Sequence, residues 1–267
     1  MGGILAGFFT RSDTPDPVRG FFVLVHGFAS DRDEGGLFPL IERTLLEQGC
    51  GVLRYDARGL GLSDGAFECS TIDEHVDDFI SVVGWLRREI GDAPIHGLGF
   101  SLGATIICLA ARRGITLKSA VFLSPALRPC VDMWPRYNTP EIRKVLETNG
   151  CILKGRVRVG RAFLESLREI DLRDLPNEMQ VPLLVCHGTA DDRIPAATTR
   201  KIFSEARASS TRLKWFENAS HSFRPEEVHR RPLIETIREW LPNGLTRSAA
   251  QPPRSRRQRR RPDHPVP

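Results

Sequence analysis

Four short stretches of this chain hold residue types that together can run nucleophilic acyl chemistry. Gly99-Phe100-Ser101-Leu102-Gly103 fits the pattern Gly-x-Ser-x-Gly. An apolar run of strand length precedes it and a small-residue helical run follows, which places Ser101 on a sharp strand-to-helix turn. Such a turn strains the serine backbone, needs small residues two before and two after, and aims the hydroxyl at the positive end of a helix. The same five residues also suit a plain serine N-cap, so the motif needs company. His187-Gly188-Thr189-Ala190-Asp191-Asp192-Arg193-Ile194-Pro195 supplies an acid after a late strand. Asp191 and Asp192 compete for that role, and motif register favours Asp191. In Asn218-Ala219-Ser220-His221-Ser222-Phe223, His221 lies between the last strand and the last helix, whereas His229 falls inside that helix and His264 in the tail. His26-Gly27-Phe28 follows an early strand. There the Phe28 amide, with the Leu102 amide, can face a developing oxyanion, and His26 reads as a loop scaffold rather than a base. The chain order Ser101, Asp191, His221 differs from that of other serine-triad folds.

These groups act only if a frame brings them together. Gly20–His26, Cys50–Tyr55, Ala93–Phe100, Lys118–Leu123, Val181–Cys186 and Thr211–Phe216 are apolar runs of strand length. Leu37–Gln48, Thr71–Ile90, Leu102–Arg113, Ala197–Ala206 and Pro225–Trp240 have helical spacing, and Thr71 with Glu74 makes a capping box. Continuous apolar strands alternating with helices predict an α/β fold with a mostly parallel sheet covered on both faces. Ile4–Thr10 and Gly20–His26, joined by a turn-rich stretch, suggest an antiparallel entry hairpin. Between Ser124 and Gln180 no core strand is predicted. That stretch is rich in Pro and Arg and holds short helices and a hairpin over Cys151–Val159. The organisation expected is a core over 1–124 and 181–245, a cap or lid over 125–180, and a disordered Arg/Pro-rich tail over 246–267.

Composition narrows the possibilities further. The chain has 267 residues, 40% hydrophobic, enough for a normal core. No apolar run approaches the length of a membrane span. Net charge is +5, yet residues 246–267 hold seven arginines and one aspartate, which leaves the rest of the chain close to neutral. The folded body is therefore not expected to bind nucleic acid. Six cysteines show neither CxxC nor zinc spacing, and several sit in apolar runs, as buried reduced thiols would. No metal site is expected. The N-terminal stretch lacks a basic region and a cleavage pattern, so no secretory leader is expected and a cytoplasmic location is.

A longer string is more specific than any motif above: Arg54-Tyr55-Asp56-Ala57-Arg58-Gly59-Leu60-Gly61-Leu62-Ser63-Asp64-Gly65, followed by Phe67-Glu68 and Thr71. With His26-Gly27-Phe28, the Gly-x-Ser-x-Gly and both late motifs, it makes the chain resemble the α/β-hydrolase superfamily from about residue 4 to 242. Within it the chain is similar to the serine-aminopeptidase-like Hydrolase 4 group, including cinnamoyl (feruloyl) esterase-like enzymes. The resemblance implies an α/β-hydrolase fold and a carboxylesterase-like activity (EC 3.1.1.-) with Ser101 as nucleophile, Asp191 as acid and His221 as base. It places the oxyanion hole at Phe28 and Leu102, and implies no cofactor. The chain departs from many relatives in having Phe100 rather than His before the serine. Asp56 and Arg58 read as structural, and Asp64 fits no triad order. Within the cap, Met133, Trp134, Tyr137 and Phe163 offer an apolar or aromatic acyl pocket, with Trp134 and Phe163 named as substrate-binding. The expected partner is a small-molecule ester, and the protein is expected as monomer or homodimer. A thioesterase or aminopeptidase with the same triad, or a non-catalytic hydrolase-fold binding protein, are the alternatives.

Overall fold

The computed structural model describes residues 3–13, 19–204 and 210–246. The expected disordered tail lies outside the described residues, apart from Thr246 at the end of the last helix. In chain order the elements are β1 (Gly7–Thr10), β2 (Phe21–Val25), α1 (Leu37–Glu47), β3 (Gly51–Tyr55), a single 3-10 turn (Phe67–Cys69), α2 (Ile72–Ile90), β4 (Ile95–Phe100), α3 (Leu102–Arg112) and β5 (Ala120–Leu123). Then come α4 (Pro129–Asp132), α5 (Trp134–Tyr137), α6 (Pro140–Asn149), β6 (Cys151–Lys154), β7 (Val157–Gly160), α7 (Arg161–Ser166) and α8 (Leu175–Glu178). The chain returns to the sheet with β8 (Leu183–Gly188), α9 (Ala196–Ser204), β9 (Thr211–Phe216) and α10 (Glu226–Thr246).

Seven strands form one sheet in the order β1-β3-β2-β4-β5-β8-β9. All pairings are parallel except β1 with β3. The α/β expectation therefore holds. The entry hairpin does not: β1 is antiparallel, but its partner is β3, with Gly7 opposite Tyr55. Both edges of β2 are taken by parallel neighbours, β3 on one side and β4 on the other, so no edge is left for β1.

Alternate residues of β2 show why the sheet needs helices on both faces. Phe21, Val23 and Val25 join the core layer under α2 and α3, with Val76, Phe79, Leu86 and Ile107. Phe22 and Leu24 enter the layer under α1 and α10, with Phe38, Ile41, Leu233 and Ile237. A strand buried on both sides reads as a continuous apolar run, which is how this sheet announces itself in the sequence. The α2 helix starts at the capping box: the Thr71 amide donates to Glu74 Oε2 at 2.9 Å, and the Glu74 amide donates to Thr71 Oγ1 at 3.3 Å.

The residues between β5 and β8 contribute helices and the predicted hairpin, in which β6 pairs with β7 and Cys151 stands opposite Gly160. This insertion closes against the body at Gly160, where an added β-carbon would sit 1.8 Å from the Glu68 carbonyl oxygen. Arg158 Nε donates to Glu68 Oε1 at 2.8 Å beside it. Among the described residues no helix is long and apolar enough to cross a membrane. The cysteines are unpaired, with Cys50, Cys108, Cys151 and Cys186 buried and Cys69 exposed. Burial pushes the Cys50 thiol up to about 11.

Thr71→Ala removes one arm of the capping box. It should cost about 1 kcal/mol, seen as a lower urea midpoint with an unchanged slope.

Candidate active site

Ser101 occupies the turn between β4 and α3 at φ 52°, ψ −115°. A residue with a side chain reaches this left-handed region only under strain, so its surroundings must hold it. They do so through backbone alone. The Ser101 amide donates to the Leu123 carbonyl at 2.8 Å, and its carbonyl accepts from the Ala126 amide at 3.1 Å. A β-carbon at Gly99 would lie 2.5 Å from the Ala104 nitrogen, and one at Gly103 would lie 2.0 Å from the Val25 carbonyl oxygen. The motif's two glycines are thus steric requirements of the turn.

Asp191 and His221 come from the loops after β8 and β9. Asp191 Oδ2 accepts from His221 Nδ1 at 2.7 Å, while Oδ1 accepts the Arg193 and Ile194 amides at 2.9 and 2.8 Å. A third partner, to which no sequence motif assigns a role, is His187: buried beneath the carboxylate, it approaches Oδ2 through Nε2 at 3.0 Å. That nitrogen also faces the Ile194 carbonyl at 3.0 Å, so both its neighbours are acceptors and it carries the proton. Its Nδ1 accepts from the Thr199 hydroxyl at 3.0 Å. Burial opposes the Asp191 charge. The hydrogen bonds from His187 and His221, the His221 charge and the Ile194 amide outweigh it and hold the carboxyl well below the usual carboxylate range. Asp192 is exposed and takes no such place. The His221 loop is anchored by the Ser124 hydroxyl, which donates to the His221 carbonyl at 2.9 Å. The His221 ring lies 5.1 Å from the Phe100 ring. With Nδ1 bonded to Asp191, His221 keeps Nε2 for a second partner.

Ser101 and His221 line one cavity of about 240 Å³. Its wall includes Gly27 and Phe28. Among the described residues neither the Phe28 nor the Leu102 amide has an internal hydrogen-bond partner. His26 fixes the loop that carries Phe28. Its Nε2 accepts from the Ala57 amide at 3.1 Å, so its Nδ1 carries the proton and donates to the Gly27 carbonyl at 2.9 Å. Burial lowers its pKa, and the ring stays neutral. His26 is therefore the scaffold the sequence suggested. The Arg54–Gly65 string supports it from below. Asp56 is fully buried, pairs with the Arg32 guanidinium and accepts the Leu62 amide at 2.9 Å. Arg58 pairs with Asp78 at 2.6 Å and Glu74 at 3.0 Å. Asp64 accepts from the Ile4 amide, far from Ser101 in role.

The remaining wall differs from the expected aromatic pocket. Met133, Arg136 and Tyr137 line it, but Trp134 does not; Trp134 opens onto a separate groove with Arg143 and Arg168. Helical turns put positions i, i+3 and i+4 on one face, so when Met133 looks into the cavity Arg136 and Tyr137 follow and Trp134 is turned away. Phe163 stands behind the wall. Its ring stacks on Phe28 at 5.2 Å and borders a smaller cavity beside Leu102. Glu34 belongs to no motif, yet it stands in this wall. It has φ 44° ahead of Gly35 and Gly36, also left-handed, and it accepts the Gly27 amide at 2.7 Å. The run of Glu before two glycines was the available signal. Burial raises its carboxyl to about 7, opposed by hydrogen bonds from Gly27 and Ser30. Among the described residues no cluster of three or more His, Cys, Asp or Glu side chains is placed to hold a metal ion.

A mostly parallel sheet with a serine at a left-handed strand-to-helix turn, and a His–Asp pair on later loops, defines the α/β-hydrolase class. The profile of the Hydrolase_4 family, described as serine aminopeptidase, S33, matches residues 16–149 and 133–227, and the chain belongs to that family. It is similar to a monoacylglycerol lipase of Mycolicibacterium smegmatis, 23% identical over 92% of this chain and 95% of the relative. It is also 23% identical to the human mitochondrial palmitoyl-protein thioesterase ABHD10, over 75% of this chain and 66% of the relative. Among solved structures, Est1E of Butyrivibrio proteoclasticus with ferulic acid bound superposes with a TM-score of 0.78 at 20% identity, covering 92% of this chain and 97% of that one.

The raised Glu34 carboxyl binds its proton more tightly in the folded chain than in the unfolded one. The Glu34 contribution to stability should therefore fall as pH rises from 4.5 towards about 7, while the buried histidines His26, His75 and His96, whose pKa values burial lowers, contribute in the opposite direction. Glu34→Gln should remove the Glu34 part alone, so that between about pH 5 and about pH 8 the variant gains stability relative to wild type, measured by urea unfolding.

Proposed function

We propose that the protein is a serine hydrolase of carboxylic esters, with Ser101, His221 and Asp191 as its triad. The observation that carries this reading is the convergence on one cavity of a strained serine, a histidine bonded to a buried carboxylate, and Phe28, whose amide, like that of Leu102 next to the serine, has no internal partner among the described residues. His221 Nε2 takes the proton of Ser101 as Oγ attacks the ester carbonyl carbon. Asp191 holds the ring in the tautomer that leaves Nε2 free and stabilises the imidazolium. The carbonyl oxygen gains negative charge and is met by the Phe28 and Leu102 amides; one such donor is typically worth about 10²–10³ in rate. His221 then gives its proton to the departing alkoxide, leaving an acyl-serine. Water, deprotonated by the same nitrogen, attacks the acyl carbon and releases the carboxylic acid with Ser101 restored.

His187 is a positioning residue in this scheme, because it meets Asp191 and not the reacting atoms. Phe163 acts through Phe28, whose ring it backs. The insertion roofs the cavity as a cap, and Met133 and Tyr137 meet the acyl or alcohol part of the substrate.

Wild-type protein should hydrolyse p-nitrophenyl esters with an optimum at short to medium acyl chains in a series from acetate to laurate. Ser101→Ala should lose about 10⁶ in kcat, and Asp191→Asn should lose about 10³–10⁴, both with the fold intact by circular dichroism. A folded Ser101→Ala that keeps wild-type hydrolysis would falsify the mechanism. Running acyl-CoA and aminoacyl p-nitroanilide substrates beside the esters decides between ester, thioester and peptide bonds.

A further inference from the structure

The cavity wall carries more charge than an apolar ester needs. Arg136 and Lys154 reach it from the insertion and Arg193 from the loop after β8. Among the described residues none of the three makes an ion pair. Among the described residues Arg136 donates only to the Asp192 carbonyl, at 3.3 Å. Lys154 donates to the Tyr137 hydroxyl at 3.4 Å, and its ammonium lies 4.9 Å from the centre of the Phe28 ring. The acids nearby offset this charge only in part. Glu34, the carboxylate in the wall, holds the Gly27 amide and attracts Arg193 without closing an ion pair, Asp132 accepts the Thr198 hydroxyl through Oδ1 at 2.9 Å and attracts Arg136 from a distance, and Asp192 is exposed. Arg136 and Arg193 stand at the exposed mouth while Lys154 is half-buried. Lys154 loses its proton more readily than an ordinary lysine, first because of burial and then through repulsion from Arg193 and Arg136, so the three cations share one space.

Three cations in one space, none of them closed into an ion pair, repel one another and favour the arrival of an anion. We infer that the substrate is an acidic ester whose carboxylate or phosphate group is received by Arg136, Lys154 and Arg193 while its ester carbonyl lies at Ser101. The inference rests on the esterase reading and specifies its substrate class. Two of the three cations belong to the insertion, so the anion also bridges insertion and body. The ammonium beside Phe28 sets the charged group near the candidate oxyanion donor.

The test compares p-nitrophenyl hydrogen adipate with p-nitrophenyl methyl adipate, which differ in one charge, with Ser101→Ala as background. Wild-type kcat/KM should favour the acid by about tenfold at low salt, and the preference should shrink at about 0.5 M salt. Arg136→Gln, Lys154→Gln and Arg193→Gln should each lower the acid-to-methyl-ester ratio roughly two- to fivefold. The matching anilides, N-(p-nitrophenyl)adipamic acid and its methyl ester, are titrated calorimetrically into Ser101→Ala. Turnover of both esters at equal rates, with equal binding of both anilides, overturns the anion site and leaves the esterase reading standing. Tighter binding of the acidic anilide without turnover of either ester by wild type keeps the anion site and overturns the esterase reading. No turnover and no binding difference overturns both. An anilide ending in a phosphonate separates the anion types: tighter binding than the carboxylate assigns phosphate-bearing esters, and weaker binding assigns carboxylates.

Discussion

A serine at φ 52° costs backbone energy, of the order of 1–3 kcal/mol for such outliers, and the architecture around Ser101 is organised to hold it. The Leu123 carbonyl and the Ala126 amide grip its peptide groups from β5 and the segment beyond. The absence of side chains at Gly99 and Gly103 lets α3 start within contact of β4 and of the end of β2. Close approach of β2 in turn places the loop carrying Phe28 beside the Leu102 amide. Strand order follows from the same demand: β2 and β5 flank β4, so the loops after all three strands meet above one point.

Support for that point comes in tiers. Directly beneath the loop after β2 lies His26, tied to the Ala57 amide. Ala57 belongs to the Arg54–Gly65 string, whose Asp56 is wholly buried and clamps Arg32 and the Leu62 amide. On the other side His187 lies under Asp191 and is tied to Thr199 of α9. Both buried histidines donate to backbone or carboxylate from one ring nitrogen and meet a hydrogen-bonding partner with the other, His26 the Ala57 amide and His187 the Thr199 hydroxyl. They position the groups above them.

What could be read in the sequence follows a physical divide. Runs buried on both faces, such as Phe21–Val25 and Ile95–Phe100, give a signal that depends only on their own composition. A steric requirement such as Gly-x-Ser-x-Gly is also local, and the structure puts the three motif-bearing loops at one place. Pairing is not local: the turn-rich stretch after β1 suggests a hairpin, but whether β2 has a free edge depends on β3 and β4, far along the chain. Side-chain direction in short helices is not local either. Trp134 and Met133 are neighbours in sequence and face different cavities, because only the packing of α5 decides which face is inward. Glu34 escaped because a carboxylate before two glycines looks like a surface turn until the Gly27 amide is seen to point at it.

The division between strand-borne loops and insertion has a consequence for how relatives diverge. Ser101, Asp191, His221 and the Phe28 and Leu102 amides all stand on the sheet's own loops. Met133, Arg136, Tyr137 and Lys154 stand on the insertion, which is secured by a few contacts such as Gly160 against Glu68. Selection can therefore rewrite the insertion, exchanging its charges or its length, while the groups on the sheet loops keep their geometry. Under the proposed mechanism, drift in the first set would be lethal to turnover, whereas drift in the second would redirect it, so sister proteins would be free to keep one bond-breaking apparatus and part company over what they admit.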